Sequence, residues 1–398
     1  MKIKTFIILL AICGVLAGVT YLVVTPGKSS DNKQNLAGKE LLSKLPVNDI
    51  AEISIKSSES KVILAKGENV WIVKNKYEYP ADFGKITEFA KKIKDMKITR
   101  YFNISDDIQK RLALFSPDKE DIPKENKGVR ITLKDKSQKI LSDIIVGKAR
   151  EASAGRGGHY IMPLNEKTVY LVDKNFKYMD KKPDNWIKKD LVDISADHVA
   201  QVICKDSQGN VLYTLKRPEK GKAPEFMDIP EGKKIISSKL NDVFSALSSL
   251  NIEDVADPSL SADNTGFDKS ACFEYHLFDG NIYTACSGNV VDNDDNKYYF
   301  KINTSFKEPE KKQQEAKTED TASDTEVKPK DTKDNKKQEA DKKEEVKDPA
   351  QLAAQADELN KKISPWTYII SKWKADRLIT NTEDFFEKPK EKTDKKDS

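Results

Sequence analysis

Cys272 and Cys286 flank two alternating apolar and polar runs joined at Asp279-Gly280, a hairpin turn signal. If Phe278, Asp279 and Gly280 form a three-residue turn with Gly280 left-handed, Leu277 faces Asn281 and Cys272 lands opposite Cys286. That pair would be non-hydrogen-bonded, where side chains stand closest, and a cross-strand disulfide becomes feasible outside the cytoplasm. A two-residue Asp-Gly turn instead shifts the register and sets Ser287 opposite Cys272, and both readings stand at this level. Cys204 lies in an apolar strand pattern and reads as a small core residue, and Cys13 as an apolar residue of the first segment.

The one glycine cluster, Gly155-Arg156-Gly157-Gly158, precedes His159. Successive backbone amides there could cradle an anion with Arg156 in support. The same residues also suit a flexible hairpin connection, and the corresponding loop later in the chain, Asn289 to Asn296, is acidic. The 3 histidines, His159, His198 and His276, sit in separate elements without a second ligand at metal spacing. No nucleophile elbow, Walker loop or dinucleotide fingerprint occurs. No catalytic activity, metal or cofactor is therefore expected.

The elements that must position these residues form a repeat. Val47 to Ile55 is answered by Ala196 to Ile203, both alternating as half-buried strands do. Strands at Lys61–Leu64 and Val70–Val73 are matched at Val211–Leu215 and Phe226–Ile229. A helix follows in each, with Phe83, Ile86, Ala90, Ile93 and Met96 on one face after an Asp82 N-cap, and Ile236, Leu240, Val243, Phe244, Leu247 and Leu250 on the other copy's face. A short turn comes next, Leu112 to Pro117 or Thr265 to Ser270. Two ladders close the units: Val129–Leu133, Ile140–Val146, His159–Met162 and Val169–Val172, then Cys272–Leu277, Ile282–Cys286, Tyr298–Ile302 and Thr367–Ile370.

The second ladder is interrupted by residues 307–348, a lysine-rich and acidic stretch without aromatics that cannot bury enough apolar surface to offset its ordering entropy. Folding resumes at Asp348-Pro349, with Leu352, Ala356, Leu359 and Ile363 as a helical stripe. At the other end, Thr5 to Val24 is an uncharged apolar run of about 20 residues, the length that crosses a bilayer. Lys2 and Lys4 precede it, and no small-x-small cleavage site follows, which favours a retained single-pass anchor with the rest exported. The 69 basic and 65 acidic residues nearly cancel, to +4, so no concentrated field points at nucleic acid.

These readings predict an α+β protein: an anchor at 1–25, a linker at 26–44, α+β repeats at 45–190 and 191–385, and a loose charged tail at 386–398. Each repeat is an antiparallel sheet with a packed helix. No small-molecule substrate is identified.

The order of features resembles the domain-of-unknown-function 4340 family. It runs from Leu45, Pro46, Asp49, Ile50 and Ile53 through Trp71 to Val73 and Pro80 to Asp82. It continues with Leu112, Leu114 and Pro117, then Val146-Gly147, and ends at Val169 to Asp173. These are structural signatures, and none is catalytic. The resemblance implies an extracytoplasmic module related to auxiliary proteins of gliding-motility-type ABC transporters, on the bacterial cytoplasmic (inner) membrane with the bulk periplasmic. Set against those longer proteins, the sequence is expected to depart from the type by lacking their additional large domain. The expectation is a membrane-anchored accessory or scaffold protein whose partners include an ABC permease or ATPase; the alternative is a module binding an envelope glycan or peptide.

Overall fold

The computed structural model describes residues 36–150, 157–309 and 348–388. The apolar run Thr5 to Val24 and most of the charged stretch, residues 310–347, lie outside them. Among the described residues no helix is long and apolar enough to cross a membrane.

The first half contributes β1 (Glu52–Lys56), β2 (Lys61–Lys66), β3 (Trp71–Val73), β4 (Tyr79–Pro80), α1 (Phe83–Lys94), β5 (Ile98–Asn103), α2 (Asp106–Arg111), β6 (Val129–Lys134), β7 (Ile140–Arg150), β8 (Gly158–Pro163) and β9 (Thr168–Val172). The second contributes β10 (Asp190–Val192), β11 (Val199–Lys205), β12 (Val211–Lys216), β13 (Glu225–Phe226), α3 (Ser237–Phe244), β14 (Leu250–Asn251), β15 (Asp254–Val255) and α4 (Ala262–Thr265). It continues with β16 (Cys272–Leu277), β17 (Asn281–Val291), β18 (Asp294–Phe306), α5 (Pro349–Ile363), β19 (Tyr368–Ser371) and α6 (Lys372–Ala375).

The result is a mixed α and β fold dominated by two large antiparallel sheets with few helices. The 9-stranded sheet runs β4-β3-β2-β1-β6-β7-β8-β9-β5, and the 8-stranded sheet β13-β12-β11-β16-β17-β18-β19-β15. With β4 set aside, the two orders correspond strand for strand. Short pairings outside the sheets correspond too. Glu40 bridges Lys97 beside β5, and β10 pairs with β14 in the second half. Residues 36–42, expected to be part of the 26–44 linker, instead dock on the first sheet, with Gly38 N–H donating to Ile98 O at 2.7 Å and Leu41 N–H to Met96 O at 2.9 Å.

Alternation decides which face is core. In β1, Ile53 and Ile55 are fully buried and meet Ile131 and Leu133 of β6 beneath α1, while Glu52 and Lys56 point to the outer face. Burying a side chain of that size is worth roughly 2 kcal/mol. Asp82 caps α1 by accepting from Lys85 N–H, and the helix buries Ile86, Phe89, Ala90 and Ile93. Phe83 departs from the predicted apolar face: it is 63% exposed, while Phe89, outside the predicted stripe, is buried. In the second half α3 ends at Phe244, so Leu247 and Leu250 reach the core from the turn and strand beyond it.

Two further differences follow from tertiary pairing. Asn289 to Asn296 is not a loop: β17 and β18 run on to a tight turn at Asp292-Asn293, where Asn293 takes a φ of +63°. The Thr367–Ile370 strand, β19, is not the sheet edge, because β15 pairs on its far side. Asp348 caps α5 and Pro349 begins it, as the composition predicts. There Asn360 Oδ1 accepts from Thr304 N–H at 3.0 Å, occupying the edge of β18 beyond the end of β19.

One hydrophobic core runs through both halves. Tyr79 of β4 packs edge-on against Trp366 at 4.9 Å and against the fully buried Tyr368 of β19 at 6.3 Å. Beside it Lys76 pairs with Asp254 at 2.6 Å. The turn that delivers these contacts holds Tyr77 and Glu78 both left-handed, at φ +55° and +60°, an unfavoured conformation for L residues that the surrounding contacts maintain.

Candidate functional site

The outer faces of the two sheets carry the polar chemistry, in matching positions. In the first sheet a row crosses four strands, Lys56–Arg130–Ile145–Met162; in the second the corresponding row is Lys205–Cys272–Cys286–Lys301. Directly opposed residues of an antiparallel pair share a face, so each row points one way.

In the second row, Gly280 is left-handed at φ +93° and its N–H donates to Leu277 O at 3.1 Å, closing the three-residue turn. This is the register that sets Cys272 opposite Cys286, with Cα atoms 4.4 Å apart and the sulfurs bonded. The spacing belongs to a non-hydrogen-bonded pair. Both cysteines are half-buried. Lys205 lies across from Cys272 and is paired with Glu274 at 2.6 Å, and His276 Nε2 stands 3.5 Å from the same carboxylate. Lys301, across from Cys286, places its ammonium 4.8 Å above the Phe267 ring. Cys204 is one residue out of phase, faces the core, and burial pushes its thiol up to about 12.

The first row is held by charge. Arg130 grips Asp143 with Nε and Nη2 at 3.0 and 2.7 Å and reaches Asp118 with Nη1 at 2.7 Å. Lys56 also pairs with Asp118, and the bonds from Lys56, then Arg130 and Ser116, hold that carboxyl down to about 2. Farther along, Glu52 receives Lys74 and Lys134, each at 3.1 Å; burial would raise its pKa, but the two lysines outweigh burial and lower it. The other end of this face is a small second core of Leu114, Ile145, Met162 and Val169.

Two matched glycines explain the turns that follow each helix. A Cβ on Gly147 would meet Leu112 O at 2.3 Å, and one on Gly288 would meet Thr265 O at 2.1 Å. Each glycine sits where its ladder shifts register, between Val146 and Ala149 or between Ser287 and Val290. The bulge takes the backbone of the preceding turn against it.

Of the anion-loop candidates, Gly155 and Arg156 lie outside the described residues. Gly157 leads into β8, which begins at Gly158. A Cβ on Gly158 would lie 2.0 Å from Val172 O, so close approach of β9 accounts for that glycine. His159 is buried, and its Nδ1 accepts from Phe176 N–H at 3.1 Å. Burial, with Lys92 nearby, pushes it down to about 4, so the ring is neutral at pH 7. Among the described residues no group of three or more His, Cys, Asp or Glu is arranged to hold a metal.

Two features escaped sequence reasoning. β5 went unread although Ile98-Thr99-Arg100-Tyr101-Phe102 is rich in β-branched and aromatic residues; its strand character is legible, its place beside β9 is not. An open cleft of about 540 Å³ lies between residues 36–43, the start of β7 and the β8–β9 turn, lined by Leu41, Ile98, Leu141, Leu164 and Tyr170 together with Glu166. Tyr170 donates its hydroxyl to Glu166 at 2.9 Å.

No curated protein and no solved structure matches the chain. One family profile does, over residues 71–270, from β3 to just before β16. That span takes in half the chain, including the first sheet from β3 onward, the Leu112 turn with its Gly147 partner and the opening strands of the second sheet. The chain belongs to the family described as domain of unknown function (DUF4340).

Proposed function

We propose that the protein is a membrane-anchored, extracytoplasmic accessory or scaffold subunit, non-catalytic and associated with an ABC-type transport complex of the gliding-motility kind. In this reading the two sheets are tandem copies of one unit. The observation that carries it is the join between them: Tyr79 wedged against Trp366 and Tyr368, with Lys76 on Asp254, unites both halves in one core. A body of that kind offers partners fixed sheet edges and faces at constant separation. The apolar run Thr5 to Val24 supplies a segment of bilayer-spanning length, and the Cys272–Cys286 bond suits an oxidising compartment. The test is affinity purification of the full chain from membranes in mild detergent. An ATPase and a permease should co-elute; recovery of the chain alone overturns the reading.

The cleft beside residues 36–43 favours a second reading, an envelope-ligand module for a glycan or peptide. It lies on the first sheet and not between the two halves. Calorimetric titration with soluble envelope glycan decides it, since this reading requires heat of binding that Tyr170→Ala removes.

A further inference from the structure

We propose that the Cys272–Cys286 bond is an exchangeable disulfide: a thiol–disulfide exchange site on the open face of the second sheet that serves an external dithiol, with Cys286 as the leaving thiolate. Three observations carry this. The register does not rest on the bond alone, because the left-handed Gly280 turn closes the hairpin and β16 and β17 are each paired on both sides, by β11 and β18 as well as by each other. Both cysteines lie on the outer face and are half-buried, while the core is filled from the opposite face by Phe273, Tyr275, Tyr283 and Ala285. The third is the flank of cations: Lys205 stands across from Cys272 and Lys301 across from Cys286. A cation beside a cysteine stabilises its thiolate, the form that leaves and attacks in exchange.

The flanks are unequal, and this assigns the direction. Lys205 is neutralised by Glu274 at 2.6 Å, whereas Lys301 rests on the Phe267 ring with no carboxylate at ion-pair distance among the described residues. Cys286 is therefore the better leaving group. A thiolate of the external dithiol attacks Cys272 Sγ; a new S–S bond forms there, the Cys272–Cys286 bond breaks, and its electron pair departs on Cys286 Sγ, on the strand position directly opposite Lys301. The second thiol of the dithiol then attacks its own sulfur of the mixed disulfide and releases Cys272. The dithiol ends oxidised to a disulfide, and Cys272 and Cys286 end reduced, having taken up its two electrons. In the first sheet Arg130 and Ile145 hold the matching positions, so the site belongs to one sheet alone.

The experiment uses the full chain in mild detergent, with dithiothreitol and, separately, reduced glutathione as probes. Thiol release is followed by alkylation and mass spectrometry, and the fold by near-ultraviolet circular dichroism. The expected result is reduction by millimolar dithiothreitol with the folded spectrum retained. Acid-quenched glutathione should map to Cys272. Lys301→Ala should slow reduction at least about threefold, Lys205→Ala less, and Lys301→Arg should restore the rate. A bond that opens only on unfolding, glutathione found on Cys286, or equal rates in wild type and Lys301→Ala would each overturn the proposal.

Discussion

The same position on two matching sheets is filled by opposite chemistry. Arg130 and Ile145 of the first sheet correspond to Cys272 and Cys286 of the second. One pair joins an ion network to a patch of second core; the other is a covalent link on an open face. Strand order constrains how the backbone pairs, and it leaves the outward residues free to differ. The core-facing residues are less free: Ile53 and Val202, Leu133 and Tyr275 all remain apolar and buried, because the inner face is where burial drives folding.

The largest test of the comparison cuts the two halves apart. Tyr368→Ala removes a fully buried ring from the join, and the expected loss is about 4 kcal/mol, with unfolding turning from one calorimetric transition into two. A single transition in the variant would mean that the sheets are coupled through other contacts.

The next is acid sensitivity carried by the first half. His159 has its folded pKa lowered to about 4 from an ordinary 6.5, so the unfolded chain binds the extra proton. Its contribution is complete above pH about 6.5 and is lost as pH falls towards about 4, amounting to about 3 kcal/mol. His159→Gln, which keeps an acceptor for Phe176 N–H, should abolish that part of the slope in denaturant titrations run across the window.

The glycines sharpen the correspondence. Gly147→Ala and Gly288→Ala should each cost about 2 kcal/mol or more, since the obstructing atom is a backbone carbonyl in both. If only one is sensitive in thermal melts, the two bulges are not equivalent.

The smallest expected effect separates charge from covalency. Arg130→Met strips the nearly buried Asp143 of its main partner and should cost about 2 kcal/mol, less as salt rises. The double change Cys272→Ser with Cys286→Ser should show a stability loss that salt leaves unaltered, measured by chemical denaturation from low to high ionic strength.

Much of the fold was legible in the residues. Period-two alternation located β1, β2, β6, β7, β11, β12 and β16, and Asp82 and Asp348-Pro349 marked their helix starts. The paired order of features revealed the correspondence that the two sheet topologies display. β4, β10, β14 and β15 were not legible, because strands of two or three residues carry too little pattern and exist only through their partners. Phe83 was misplaced because the buried face is centred near Ile86 and Ile93, which leaves Phe83, in the first turn, at its margin and brings in Phe89 from the other side. For the cysteines the residues left two registers open. The difference lay in the φ of one glycine, which local sequence permits but does not compel.

The sequence by itself determined the periodicities, the helix caps, the turn at Asp279-Gly280 and the repeated order of elements. All of these depend on neighbours within a few residues. Tertiary structure alone decided that Tyr79 meets Trp366 and Tyr368, that β15 borders β19, and that Lys205 and Lys301 stand on either side of the disulfide. Those relations join residues far apart in the chain, and they arise because the sheets must bury one face and pair their strands across long loops.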